Sequence, residues 1–388
     1  MPTPAQNIRF YTVGPLLFAG LVSVFMVPFQ IGALMDGLKL SAGTSSLLGT
    51  AELLAMSLTS ILIVPVMERI QLRRLALAGI ALAVAGEVST ASVSELWVLV
   101  AMRVGTGIGS GIVLATVTAT VALVPNPDRT MGWGLTLTSL LFFVLFFFTP
   151  QLLGTFGYRG LFVVLAACLA AVSLTLRDLP QTPLTVDHGS SRNGGGSSVI
   201  PLNRARVALL ALGIFALNLG LGAEWSFAER IGRGIGLDAE HTADILSLCT
   251  IAMIGGSAAA GFMGDRFGYR WPVVVGSVVC GIACYSTAAS TSVVGFTLGS
   301  LTYNFCYLML GPITVVGVPS TLDTSGRLAA AAGGLMWLAY SIGVTAGGLV
   351  ADGASVKAIG TLALTACLLA AAAFGWVTRS NARFFLSH

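Results

Sequence analysis

RDLPQTPLTVDHGSSRNGGGSSVIPLN, residues Arg177–Asn203, is rich in Gly, Ser and Pro and carries no apolar periodicity. It reads as a flexible linker, and it divides everything else. On each side the chain is built from apolar runs of roughly 20 residues, the length that carries a helix across a hydrocarbon layer of ~30 Å. Six runs precede it, near residues 10–35, 42–66, 73–91, 95–123, 131–153 and 158–176, and six follow, near 206–228, 241–262, 271–289, 293–318, 327–350 and 355–378. The expected fold is an all-α membrane protein with twelve transmembrane helices in two pseudo-symmetric six-helix bundles. Residues 1–176 form the first, residues 177–204 a cytoplasmic linker, and residues 205–388 the second. A tether of this composition lets the bundles move relative to each other.

Of the 388 residues, 55% are hydrophobic and 9% charged, and the mean hydropathy is +0.89. Lipid is the solvent such a chain requires. The net charge of +4 comes from scattered basic residues that form no stripe, which argues against a nucleic-acid partner. All six cysteines lie inside apolar runs without CxxC spacing, so they read as small hydrophobes, with no metal site and no cofactor expected. The three histidines, His188, His241 and His388, fall in the linker, at a helix start and at the last position. With no GxSxG, HExxH or GxxxxGK[ST] pattern either, no catalytic residues are expected and the chain does not read as an enzyme. The first apolar run lasts about 25 residues, too long for a signal-peptide core, and reads as a retained span.

An even number of crossings puts both termini on one side, and basic residues near span ends mark that side as cytoplasmic. It holds Arg9, Arg69, Arg73, Arg74, Arg129, Arg177, Arg204, Arg206, Arg266 and Arg270 among others, against Lys39, Arg159, Arg230, Arg233 and Lys357 on the far side. The halves also echo each other: Glu68 and Asp265, Arg69 and Arg266, and Arg9 and Arg206 are each 197 residues apart.

The turn GDRFGYR, Gly264–Arg270, joins spans eight and nine on the cytoplasmic side. Gly264 and Gly268 permit a tight reversal, Arg266 and Arg270 meet anionic headgroups, and Asp265 is the residue that a basic turn does not need. A helix start carries unpaired N–H groups and partial positive charge, so Asp265 is expected to latch onto the start of span five between Arg129 and Trp133. The plainer reading, a positive-inside turn and nothing more, stays open.

Gly261, Asp265, Arg266, Gly268 and Arg270 match the G-x-x-x-D-R-x-G-R/Y-R/K loop motif of the major facilitator superfamily, which this chain resembles. The first-half copy keeps Glu68, Arg69 and Arg73 but lacks both glycines, and RVGTGIGSG in span four is similar to the family's R-x-x-x-G-x-G motif, with Arg103, Gly107 and Gly109 in register. The resemblance implies the major facilitator fold, alternating access about a central site, and a cytoplasmic gate in which the charged loops clasp in the outward-open state. Of the G-P-x-x-G-G motif that many family antiporters carry in span five, only Pro150 survives.

Two intramembrane charges need an account. Arg103 lies about eight residues from the outer end of span four, some 12 Å deep, where an arginine costs about 2.5–3.5 kcal/mol unless it faces protein or water or snorkels outward. Glu52 in span two lies at similar depth on a stripe with Ser45 and Thr59, and a Glu52–Arg103 pair could take up and release a proton. A static ion pair is the alternative. Glu87 and Glu95 flank the short outer turn between spans three and four and are expected to be solvated.

In the family, spans one, four, seven and ten line the cavity, which promotes Gln30, Asn218, Tyr303, Asn304 and Tyr307 as substrate contacts, with packing as the rival reading. Glu224 and Trp225 near the outer end of span seven, and Trp337 and Tyr340 in span eleven, are added to this set, and Gly311–Pro312 invites a kink in span ten. The phenylalanines of LLFFVLFFFTP in span five read as lipid contact and core packing.

The functional expectation is a monomeric, multi-pass secondary transporter of a bacterial inner membrane. It moves a small, partly apolar organic molecule in exchange for protons, in the direction of efflux. Proton-coupled uptake is the alternative within the class, and a non-transporting sensor with a transporter fold is the alternative outside it. Protons, the organic substrate and membrane lipid are the expected partners.

Overall fold

The computed structural model describes residues 10–67, 69–122, 127–179, 204–263, 268–323 and 327–379. Their regular structure is helical throughout. In the first half the helices are α1 (Phe10–Phe25), α2 (Val27–Leu38), α3 (Ala42–Leu62), the short α4 (Val64–Met67), α5 (Leu72–Ser92), α6 (Leu96–Ala122) and α7 (Pro127–Val172). In the second they are α8 (Arg204–Ser226), α9 (Ala228–Gly234), α10 (Ala239–Met263), α11 (Arg270–Ala289), α12 (Val293–Pro312), the short α13 (Val318–Leu322), α14 (Arg327–Gly353) and α15 (Val356–Val377). The part of the linker from 180 to 203 lies outside the described residues.

Ten of these helical runs are long and apolar enough to span a membrane, and α1 with α2, bent by 49°, makes an eleventh. The 46 residues of α7 would extend about 69 Å if straight, twice a hydrocarbon layer. Gly157 breaks that run with φ 62 and ψ −165, a conformation reserved for glycine, and turns it into two crossings. The total is twelve, with ends close to those read from hydropathy.

Local chemistry sets the ends. Ser41 caps α3 by accepting from the Thr44 amide at 3.1 Å, and Ser292 caps α12 through Gly295. Asp238, outside the membrane at the start of α10, accepts from the His241 amide at 2.8 Å, and that bond holds its carboxyl below the ordinary carboxylate range. Span one is bent where hydropathy showed a continuous run. Pro28 has no N–H to offer the Val24 carbonyl four residues back, so the helix breaks at Met26 and restarts with that proline in its first turn. In span ten the expected kink is present: α12 ends at Pro312 and a π-helical turn, Ile313–Gly317, follows.

In the first half α6 packs between α3 and α5, and α1 lies against α6 and α7. The second half repeats the plan, with α12 between α10 and α11 and α8 against α14 and α15. The halves meet along α3 with α14 and α7 with α10. The starts of α1, α8 and α11 lie on one face, called here the terminal face; the ends of α2, α9 and α14 lie on the far face.

Candidate functional site

Arg103 leaves α6 between two neighbours that glycine brings close. A Cβ at Gly107 would overlap the Glu52 carbonyl of α3, and one at Gly109 would overlap the Gly79 carbonyl of α5. With both helices drawn in, the guanidinium reaches two acids: Nη1 lies 2.9 Å from Glu52 Oε2 and Nη2 lies 2.9 Å from Glu87 Oε2. Nη2 also donates to Thr106 at 3.2 Å, and the Phe162 ring of α7 lies 5.0 Å from the guanidinium carbon. All three charged side chains are sealed, at 1%, 0% and 0% exposure. The Glu52–Arg103 pairing agrees with the depth estimate from sequence. The expectation that Glu87 is solvated is corrected: the face of α5 that carries it turns into the bundle.

One cation and two carboxylates leave a formal charge of −1 in a site closed to water. Uncompensated charge at such a place is expensive, and a single proton shared by the two acids removes it. Glu52 Oε1 and Glu87 Oε1 have no hydrogen-bond partner among the described residues, so each carboxyl has an oxygen on which to carry that proton.

Between the halves, Val24, Phe25, Leu221, Trp225, Met253, Tyr303, Asn304, Tyr307 and Tyr340 line a tight void with room for little more than a water molecule. Five of these, Trp225, Tyr303, Asn304, Tyr307 and Tyr340, belong to the set proposed from sequence. Tyr307 and Tyr340 have ring centroids 6.3 Å apart, and Trp337 stands edge-on to Tyr340 at 6.1 Å, beside the void. The Tyr303 hydroxyl and Asn304 Oδ1 are buried without partners among the described residues, ready for a ligand's polar groups. Gln30, Asn218 and Glu224 are buried but do not line the void. Asn218 turns its amide back onto the Ile214 carbonyl of its own helix.

The far face is closed by contacts that sequence reading missed. Asp36 of α2 pairs with Arg230 at 3.0 Å and Arg233 at 2.7 Å, both in α9, and Glu229 joins them. Arg230 also donates to the Gly32 carbonyl. Asp352, at the end of α14, accepts from the first two backbone amides of α3, Ala42 at 3.0 Å and Gly43 at 2.8 Å. Trp225 donates its indole N–H at 3.1 Å to the Val24 carbonyl, the group that Pro28 leaves without its helical donor. Above the void Phe146 packs on Trp225 and Phe29, while Phe142 stacks with Phe25 at 4.3 Å. The phenylalanine run of span five thus divides, Phe142 and Phe146 packing inward while Phe147 and Phe148 stay exposed.

One signal for the clasp was present: Asp36 and Arg233 are 197 residues apart, the spacing of the internal echo. Residues at equivalent positions of two halves meet only near the axis that relates them, and these two carry opposite charge. Towards the terminal face a recess of about 370 Å³ opens between α1 and α7 on one side and α10 and α12 on the other. Phe25 and Met253 line both this recess and the central void, so they form the partition between them.

Of the loop motif, Glu68, Asp265 and Arg266 lie outside the described residues, and with them the latch expected on span five. Gly261 lies in the last turn of α10, and Gly268 has φ 62, the left-handed conformation that the tight reversal demands. Arg270 sits over Trp271 at 5.7 Å, Arg69 is exposed and Arg73 is half-buried.

Twelve crossings in two like halves, clasped at one face around a central void, define a membrane carrier. The Major Facilitator Superfamily profile matches residues 12–347, and the chain belongs to that family of transporters. Among solved structures it is similar to a D-xylose–proton symporter (TM-score 0.70, 17% identity, 93% of this chain and 95% of that one). It is also similar to the inward-open xylose transporter XylE from E. coli (TM-score 0.69, 16% identity, 93% and 94%). A third similar structure is a bacterial homologue of the human lysosomal transporter Spinster, in an inward-facing, unoccupied conformation (TM-score 0.72, 14% identity, 96% and 97%). No curated protein matches the sequence.

Proposed function

We propose that this transporter is proton-coupled, that the Glu52–Arg103–Glu87 cluster carries the proton, and that the cargo is a small, partly apolar organic molecule held between the halves at the lining of the central void once they part. The observation that carries the reading is the pair of carboxylates on one buried guanidinium, since neutrality there requires a proton. When the bundle opens that site to water the proton can leave, and the freed charge then favours whichever conformation solvates it.

The substrate class rests on the lining: three tyrosines, a tryptophan and an asparagine, with no fixed charge. Trp337 flanks this set, while Gln30 and Asn218 are proposed to reach substrate only after the halves move. The two bundles, residues 1–176 and 205–388, pivot on the linker, and the charged loops of the terminal face, with Glu68, Asp265 and Arg266 among them, clasp when the far face opens. On the reading of the terminal face as cytoplasmic, which its excess of basic residues supports, the protein is clasped towards the outside and recessed towards the inside. Loading from that recess gives export; release into it gives uptake, the second reading.

The test is transport by the purified protein in liposomes, with and without an imposed pH gradient, across a set of small aromatic and amphipathic solutes. Wild type is expected to accumulate its substrate only against a proton gradient, and Glu52→Gln and Glu87→Gln to keep substrate exchange while losing the response to pH. Full gradient-driven transport in both variants would remove the cluster from the mechanism.

A further inference from the structure

Glu224 is fully buried in α8, and neither of its carboxylate oxygens has a hydrogen-bond partner among the described residues. The titratable groups near enough for its charge to act on them are Tyr303 of α12, Cys284 of α11 and Cys367 of α15, none of them a cation. Arg230 and Arg233, which follow in α9, are committed to Asp36, Glu229 and the Gly32 carbonyl. A carboxylate with no counter-charge and no donor cannot stay ionised in such a place, so the group is a carboxylic acid while the far face is shut.

Its position relates it to the other half. Adding the 197-residue repeat spacing to Glu52, Glu87 and Arg103 gives 249, 284 and 300, which are Cys249, Cys284 and Ser300. The second bundle therefore has no charged cluster at the equivalent place, and Glu224 lies within electrostatic reach of one of those substitutes, Cys284. Glu224 also sits at a joint: its carbonyl accepts from Phe227 at 3.2 Å where α8 gives way to α9, the helix that carries Glu229, Arg230 and Arg233. Any opening of the clasp must move that joint. Tyr303, within electrostatic reach of Glu224, also lines the central void.

We propose that Glu224 is a second exchangeable proton site, in the second bundle, which releases its proton to water when the clasp at α9 opens and regains one before it closes. This rests on the reading of the protein as proton-coupled and extends it to two proton sites, one in each half, the first balanced by Arg103 and the second by nothing but its proton. The step is a plain acid dissociation, with the proton passing from the carboxyl oxygen to water and back.

The experiment is infrared difference spectroscopy of the purified full chain in lipid as the buffer is stepped between acid and alkaline pH. Wild type is expected to show two carboxylic-acid carbonyl bands that respond to pH, one missing in Glu224→Gln and the other missing in the double variant Glu52→Gln/Glu87→Gln. Glu224→Asp, a shorter acid at the same place, is expected to shift the first band and keep it. A Glu224→Gln protein that melts like wild type and retains both bands overturns the proposal. Loss of a band in Glu224→Gln with none lost in the double variant supports the second site and sinks the first, so the two readings fail separately.

Discussion

Arg103 holds two acids where one would neutralise it, and the imbalance has a cost that mutation can expose. Arg103→Met leaves Glu52 and Glu87 facing each other without a cation, and breaking a buried ion pair from one side costs about 3–5 kcal/mol. Thermal unfolding in detergent is expected to show that loss in Arg103→Met and to show most of it recovered in Arg103→Met/Glu52→Gln/Glu87→Gln, where no charge remains. Equal loss in both would mean that the arginine acts through packing alone. The Glu52–Arg103 contact was legible because depth along two spans can be counted from their ends. Glu87 was not, because its closeness to an outer turn suggested solvent. The sign that would have corrected it is on its own helix: Gly79 and Ala83 precede Glu87 at intervals of four, a stripe of small residues on the face that α6 approaches.

Among the elements, the contact of most consequence is the end of α14 on the start of α3. Asp352 accepts from the Ala42 and Gly43 amides, so a carboxylate from one half caps a helix of the other. A cap of this kind contributes about 0.5–2 kcal/mol. Asp352→Ala is therefore expected to raise the far-face-open population severalfold, read as faster labelling of a cysteine placed among the residues of the central void by a reagent added from the far side. An unchanged labelling rate would show the cap to be incidental. An acid latched on a helix start was the contact anticipated for Asp265 at the terminal face; the one observed uses the same chemistry at the opposite face. Sequence showed which residue types make such a latch. It did not show that the end of α14 meets the start of α3, because that pairing depends on how the two halves sit together. The bend in span one was similarly hidden in a continuous apolar run, although Pro28 marks it, and its consequence, a free Val24 carbonyl taken by Trp225, appears only when the halves are joined.

For the whole molecule, the span count and the two-half plan were legible, because hydrocarbon thickness fixes helix length and lipid forbids unpaired backbone. The clasp across the far face was not legible from either half alone. Asp36 with Arg230 and Arg233 is partly exposed, and single pairs of that kind contribute about 0–1 kcal/mol. Asp36→Arg is accordingly expected to open the far face by repulsion without unfolding the protein, and Asp36→Arg/Arg233→Asp to close it again. Failure of the exchanged pair to restore wild-type labelling would argue that the ion pairs follow closure and do not help set it.

The central claim is that the two bundles pivot about one void, exposing it to each face in turn and taking protons up as they do. Spin labels at Lys39 and Glu240 span the halves at the far face, and labels at Arg74 and Trp271 span them at the terminal face; all four positions are exposed. Distances between each pair, measured by pulsed electron resonance in lipid as pH is stepped, test the claim most directly. Reciprocal change is predicted, one pair lengthening as the other shortens. Distances that stay fixed, or that lengthen together at both faces, would contradict it.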